Sequence, residues 1–564
     1  MRRNNYSQKE GNRMQGYEYI AKTFHGYGVT HVFFIQTMLR LAIREMNELG
    51  IKSIMAHSEN AAGYMADGYA RASGRPGIVI AQSVGAANMA GGISDAFLAN
   101  SPVIAITGKK SPKYQYKNAY QEIDHRPLFD SVTKFNADCA DPLQLPFLLR
   151  QAFREVTTLK GRPVHLDLPD FMGNTVEQVE IEEEVFVNEL HTRYPSYRTP
   201  AEAKHLEKAV QAIAKAQKPV IVAGRGAIAS GAGEALYALA KKSDIPVGTS
   251  PDGKCIIDEL DPLWAGIVGS YGMDCGNRTV AAADLVIFVG TQTNDQTTYE
   301  WEVPKRNVNV IQIDVDPTEL GKNYSGAIGL LGDARTVAEQ LVEAVSQKSR
   351  PEWRAQVAGY VKATEDEYNA NKASDNTPIR PERLCAELNK VLPDDAIVVA
   401  DTGFSAVWSS SMLRMKPTQR FYRAAGSLGW AFPASLGAKC AVPNKPVICF
   451  TGDGALYYHM LELETAVRRG IKTVTVVNNN QILGQSWRGL KHLYDDNAAK
   501  AANHFAFSPV DFSKVAAELG AFSVRVENPE QIGSAIKQAL AQDKPALVEV
   551  VTDRDVFVPV SFKQ

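Results

Sequence analysis

The chain has 564 residues, which at roughly 150 per domain predicts three or four folding units with cores of their own and excludes a small disulfide-stapled scaffold. Lysine and arginine number 61 against 63 aspartates and glutamates, a net charge of -2 that attracts neither a nucleic acid backbone nor an acidic membrane. Hydrophobic residues at 45% and charged residues at 22% describe an ordinary globular chain.

The polar leader MRRNNYSQKEGNR lacks the apolar centre of a secretory signal and reads as a flexible tail over residues 1–13. From there helix and strand alternate. Tyr17, Ile20, Ala21 and Phe24 recur on one helical face until Gly28 ends the run, and HVFFI (31–35) reads as a buried strand. SIMA, the Ala-rich segment 60–72, GIVIA, segment 88–99 and PVIAIT continue the pattern, which implies a parallel sheet covered by helices. A charged, proline-containing passage at 177–200 reads as a linker. A second series holds the strands PVIVAG (219–224), DLVIFVG (284–290) and VNVIQID (308–314), and stops near 345. After a polar stretch, a third series brings AIVVAD (396–401), PVICFTGDG (446–454), TVTVVNNN (473–480) and PALVEVV (545–551). The fold class is therefore α/β, with three doubly wound parallel-sheet domains at 14–180, 200–345 and 375–555. The six cysteines, at 139, 255, 275, 385, 440 and 449, show no CxxC and read as reduced core thiols; with no run of about 18 apolar residues, a cytoplasmic location without a membrane partner is expected.

The sharpest chemical signal is in the third domain. Gly452, Asp453 and Gly454 end one strand, Asn479 and Asn480 end the next, and Met460, Leu463, Ala466 and Val467 give the intervening helix an apolar face that Gly470 closes. In a right-handed βαβ unit both strand ends open on one sheet edge, so Asp453 and Asn480 can meet across 27 positions of sequence. A carboxylate and an amide oxygen are the hard donors that Mg²⁺ takes, and the glycines let a phosphate approach the main chain.

This spacing of GDG and NN resembles the cofactor motif of the thiamine-diphosphate enzymes, and the likeness extends over residues 14–555 towards the acetolactate synthase-like group. The resemblance implies that Asp453, Asn480 and the main-chain oxygen of Ile482 hold the metal, with Gly452, Gly454 and Leu483 beside the cofactor; Asn478 makes a triple asparagine, which leaves the register open by one. In the first domain, HSENAAGYMADGYARASGRPG (57–77) resembles the family's segment with the catalytic glutamate, which would be Glu59, able to exchange a proton with the pyrimidine ring. AAGSLGWAFPASLGA (424–438) resembles the element that bends the cofactor, with Leu428 as the wedge and the Gly426 carbonyl accepting from its amino group. QSVGAAN and YQEIDH look like substrate-facing segments and bring forward Asn88, Gln121 and Glu122, with Gln121 taken as catalytic. Asp401 and Thr402, at a strand end, are placed to reach the diphosphate.

Two departures from the family stand out. FFIQTML puts Gln36 and Thr37 where a glycine- and proline-rich turn is usual, and Ser58 separates His57 from Glu59, which makes His57 structural or supporting. AGRGA (223–227) and IQIDVDPTELGKNY resemble the central domain of acetolactate synthases and their kin, some of which bind FAD, ADP or CoA there; GTQTNDQTT departs from the arginine- and aspartate-containing pattern of the flavin-binding members. The resemblance implies an enzyme using thiamine diphosphate and Mg²⁺ that decarboxylates a 2-oxo acid and ligates the remainder to an aldehyde or ketone, working as a homodimer or homotetramer. A simple decarboxylase, a 2-hydroxyacyl-CoA lyase, and a cofactor-binding relative without turnover are the alternatives.

Overall fold

The computed structural model describes residues 13–35, 38–169 and 174–563, so the tail up to residue 12 and the pair Gln36 and Thr37 lie outside the described residues. Two compact units divide the chain, Met1–Ser196 with Cys440–Val442, and Tyr197–Lys439 with Pro443–Gln564. In the first unit a short antiparallel pair, β1 (Met14–Gln15) and β8 (Glu180–Ile181), lies outside the main sheet. That sheet holds β2 (His31–Phe34), β3 (Lys52–Met55), β4 (Gly77–Gln82), β5 (Val103–Lys109), β6 (Phe135–Asp138) and β7 (Val164–Pro169). Its order is β3-β2-β4-β5-β7-β6, all parallel, and the central strands β2, β4, β5 and β7 are buried except for the last residue of β4 and of β5, as their apolar runs require. The passage read as a linker folds back on this unit: the Tyr194 amide donates to the Gly74 carbonyl at 2.9 Å and the Ser196 amide to the Thr157 carbonyl at 3.1 Å.

Two helices follow β3 and β4, Glu59–Ser73 and Ser83–Leu98, and they touch almost backbone to backbone. A Cβ on Gly92 would stand 2.7 Å from the Asn60 carbonyl oxygen, so only glycine allows that approach. Deeper in the pair, the fully buried Arg71 guanidinium holds Asp67 Oδ1 at 2.8 Å, Asp67 Oδ2 at 2.5 Å and Asp95 Oδ1 at 3.0 Å. The ADGYAR segment therefore locks the helix that begins at Glu59 onto its neighbour.

The second unit carries two sheets. The central one joins β9 (Pro219–Ala223), β10 (Val247–Thr249), β11 (Trp264–Ile267), β12 (Leu285–Val289), β13 (Asn309–Asp314) and β14 (Ile328–Leu331) in the order β11-β10-β9-β12-β13-β14. The last joins β15 (Ile397–Ala400), β16 (Arg420–Arg423), β17 (Val447–Gly452), β18 (Val474–Asn479), β19 (Phe522–Val526) and β20 (Ala546–Val551) in the order β16-β15-β17-β18-β20-β19. All six sheet partners in each case run parallel. The polar stretch between the two series contains a 22-residue helix, Pro351–Lys372, which buries only Trp353, Val357, Thr364 and Tyr368; so narrow a buried face leaves little periodic signal. The helix expected after GDG is two helices, Asp453–His459 and Glu462–Arg469, and Gly470 ends the second at φ +62°.

Lys254 fastens the central sheet's domain to the last one. Its buried ammonium bonds Glu259 at 2.7 Å and the carbonyls of Ser410 and Leu413 at 2.9 and 3.1 Å, and burial lowers its pKa despite the paired carboxylate. The six cysteines are free thiols, and no helix among the described residues is long and apolar enough to cross a membrane. Replacing Arg71 with Met would strand two buried carboxylates, so denaturant unfolding of the first unit should lose about 3 to 5 kcal/mol. Adding Asp67→Asn and Asp95→Asn should recover part of it; an Arg71→Met protein as stable as its parent contradicts the locking role.

Candidate active site

In the last sheet β15, β17 and β18 are neighbours, and their register sets Gly452 beside Asn478. The chain leaves the carboxyl ends of these strands at Asp401, Asp453 and Asn480. Asp453 is 2% exposed and its Oδ2 has no hydrogen-bond partner. Loss of water pushes its pKa up to about 7, against the pull of the peptide N–H groups of residues 453, 454, 480 and 481. A carboxylate taken from water without a counter-charge carries a desolvation cost that a bound cation would offset. Among the described residues no group of three or more His, Cys, Asp or Glu could hold a metal, so a metal here would take mixed donors around one carboxylate.

Asn478 and Asn479 lie inside β18 and are fully engaged, the first accepting from the Thr552 hydroxyl at 2.6 Å, the second donating to Glu549 at 2.7 Å. Asn480 stands beyond the strand, half-buried, with Oδ1 accepting from the Ile482 amide at 3.2 Å. Of the triple asparagine, Asn480 is the one that lies beyond the strand, in the loop itself. Ile482 is buried and Leu483 exposed, and a Cβ on Gly454 would meet Leu483 Cδ2 at 2.6 Å. Gly452 has less need of its bare backbone, since a Cβ there would sit 3.2 Å from Ser405 Oγ.

Asp401, expected at the diphosphate, is engaged by its own loop in this structure. Its carboxylate is 1% exposed and accepts from the amides of Thr402 at 3.0 Å, Gly429 at 3.0 Å and Ala431 at 2.9 Å. Asp401 shapes the loop that carries Gly426, which is exposed, and Leu428, which is half-buried. Gly429 completes that shape: its φ is +89°, and a Cβ would stand 2.5 Å from Tyr458 Cβ. Thr402 is half-buried at the strand end.

Sequence reasoning missed what holds this loop from behind. Arg423, buried at the end of β16, donates to Asp252 at 2.9 Å and to Gln296, both from the central domain. Tyr271 of the same domain donates to Gln485 at 3.3 Å. The only sequence signal was an arginine placed directly before AAGSLG. By contrast, the glycines of AGRGA meet their own chain: a Cβ on Gly224 would lie 2.3 Å from Thr291 Cβ, and one on Gly226 2.9 Å from Gly290 Cα. The turn is needed for packing, whatever it binds.

In the first unit Glu59 opens its helix, half-buried, with Ser58 capping through the Ala61 amide at 3.2 Å. Asn88 Nδ2 donates to Glu59 Oε2 at 3.2 Å, and a Cβ on Gly85 would come within 2.5 Å of Oε1, so the second helix crowds and orients this carboxylate. His57 is exposed on the turn before it. Gln121 has φ +59°, receives Gln82 Nε2 on its side-chain oxygen at 3.2 Å, and its carbonyl accepts from the Ser83 hydroxyl. Glu122 is used within its own loop, accepting from the amides of Tyr116 at 2.6 Å and Ala119 at 3.2 Å.

Comparison with known proteins matches three family profiles in succession. They are described as Thiamine pyrophosphate enzyme, N-terminal TPP binding domain (residues 14–128), central domain (206–341) and C-terminal TPP binding domain (401–550). A probable acetolactate synthase large subunit of Methanocaldococcus jannaschii is 32% identical over 97% of this chain and 93% of its own. The acetolactate synthase large subunit of Corynebacterium glutamicum is 29% identical over 97% and 88%, and the isozyme 3 large subunit of Escherichia coli 27% over 97% and 95%.

Asp453→Asn removes a buried charge that has no counter-charge and one oxygen without a hydrogen-bond partner. The ligand-free variant should melt higher than its parent at pH 8, by about 2 to 4 °C for each kcal/mol regained. Calorimetry showing an equal or lower midpoint would mean the carboxylate is already satisfied.

Proposed function

The chain belongs to the thiamine pyrophosphate enzymes, a family that makes or cleaves carbon–carbon bonds, and from that premise we propose that it decarboxylates a 2-oxo acid and ligates the remaining fragment to a second carbonyl compound. The observation that carries this reading is the likeness to a protein named as a probable acetolactate synthase large subunit, at 32% identity across 97% of the chain. When bound, thiamine diphosphate supplies the electron sink that lets the carboxylate leave.

The chain's own residues take the remaining roles. Asp453, Asn480 and the main-chain carbonyl of Ile482 hold Mg²⁺, and support for this comes from the buried Oδ2 of Asp453 that lacks a partner. Gly452, Gly454, Thr402 and Leu483 border the diphosphate. Leu428 supports the cofactor's rings and the Gly426 carbonyl accepts from its amino group, on a loop that Asp401 holds through the Gly429 and Ala431 amides. Glu59 exchanges a proton with the pyrimidine ring, its carboxylate oriented by Asn88 at 3.2 Å. Gln121 faces substrate, fixed by Gln82 and Ser83. The working form is a homodimer or homotetramer in the cytoplasm, acting on small 2-oxo acids with an aldehyde or ketone acceptor.

Incubation with pyruvate, Mg²⁺ and thiamine diphosphate should release carbon dioxide and yield a ligated hydroxy-carbonyl product. Free aldehyde alone, or cleavage only of a 2-hydroxyacyl-CoA thioester, would replace ligation with one of those reactions. Glu59→Gln should lower the rate by roughly a hundredfold or more while leaving the protein folded, because it removes the proton-exchanging group. A rate equal to the parent's would remove Glu59 from the chemistry.

A further inference from the structure

Glu549 is a carboxylate inside an otherwise apolar strand, and it is completely buried. On β20 it stands opposite Val477 of β18, so its side chain reaches the next residue on the same face, Asn479. It accepts from Asn479 Nδ2 at 2.7 Å and from the Ser513 amide at 3.0 Å, and pairs with Arg525. An ionised carboxylate can only accept, so Glu549 decides which end of the Asn479 amide faces it. The nitrogen turns to Glu549, and the oxygen is left for the Gln481 amide, which it meets at 3.2 Å.

Gln481 needs that bond. Its φ is +60°, a left-handed conformation that a residue with a side chain disfavours. The same turn aims Asn480, whose Oδ1 receives the Ile482 amide, and brings the peptide N–H groups of 480 and 481 towards the Asp453 carboxylate. We infer that Glu549 and Asn479 are positioning residues for the metal loop: Glu549 orients the Asn479 amide, which holds Gln481 in its left-handed turn and so sets Asn480 and the Ile482 carbonyl. The inference rests on the Mg²⁺ assignment above.

The test is the Mg²⁺ concentration giving half of the maximal thermal stabilisation at saturating thiamine diphosphate, read beside the metal-free melting temperature. Asn479→Asp sets two acceptors against each other and should raise that concentration roughly tenfold or more, the usual cost of losing a group that orients a metal ligand. Adding Glu549→Gln should restore most of it, since the amide introduced at 549 donates to the carboxylate introduced at 479. Should Asn479→Asp fail to fold, Asn479→Ala weakens Mg²⁺ in the same way, and adding Gln481→Gly, which adopts the turn without help, strengthens it again. Single variants that bind Mg²⁺ like the parent, or pairs that recover nothing despite an unchanged metal-free midpoint, overturn the inference. A parent that Mg²⁺ and thiamine diphosphate do not stabilise at all overturns the metal assignment instead.

Discussion

The second unit is organised around one unpaid electrostatic cost, the burial of the Asp453 carboxylate at the end of β17. Parallel pairing of β17 with β18 in a register that sets Gly452 beside Asn478 fixes the place where Asp453 and Asn480 leave the sheet. The peptide groups around the carboxylate offset part of the lost hydration, yet its pKa still rises to about 7. A carboxylate buried without a counter-charge carries a desolvation cost, which a bound divalent cation would offset.

The rest of the unit holds that edge still. Asp401, three amides on its carboxylate, shapes the loop in front; Arg423, gripped by Asp252 and Gln296, holds it from behind. Lys254 ties the helix Phe404–Met412 to the central domain through the carbonyls at its end. The central domain thus acts on the last domain by bracing it, and the glycines of its AGRGA turn are explained by contact with Gly290 and Thr291.

Much of this was legible in the sequence because its signals are local. Apolar runs of four to six residues named most of the strands that carry site residues, and the GDG and NN spacing placed Asp453 and Asn480 on adjacent strand ends. What escaped was set by partners distant in the chain. Asp401 was legible as a strand end, but only the fold reveals that the amides of Gly429 and Ala431, some thirty residues on, bond its carboxylate. Glu549 was visible as a lone charge in PALVEVV, yet its meaning needs Asn479, 70 residues earlier. The helix Pro351–Lys372 buries too few side chains to announce itself.

The most direct measurement is a crystal structure of the protein soaked with thiamine diphosphate and Mg²⁺. A metal at about 2.1 Å from Asp453, the Asn480 side-chain oxygen and the Ile482 carbonyl, bridging to the diphosphate, is the predicted result. Density for the cofactor with Asp453 still bare, or with the metal held by other residues, would contradict the account.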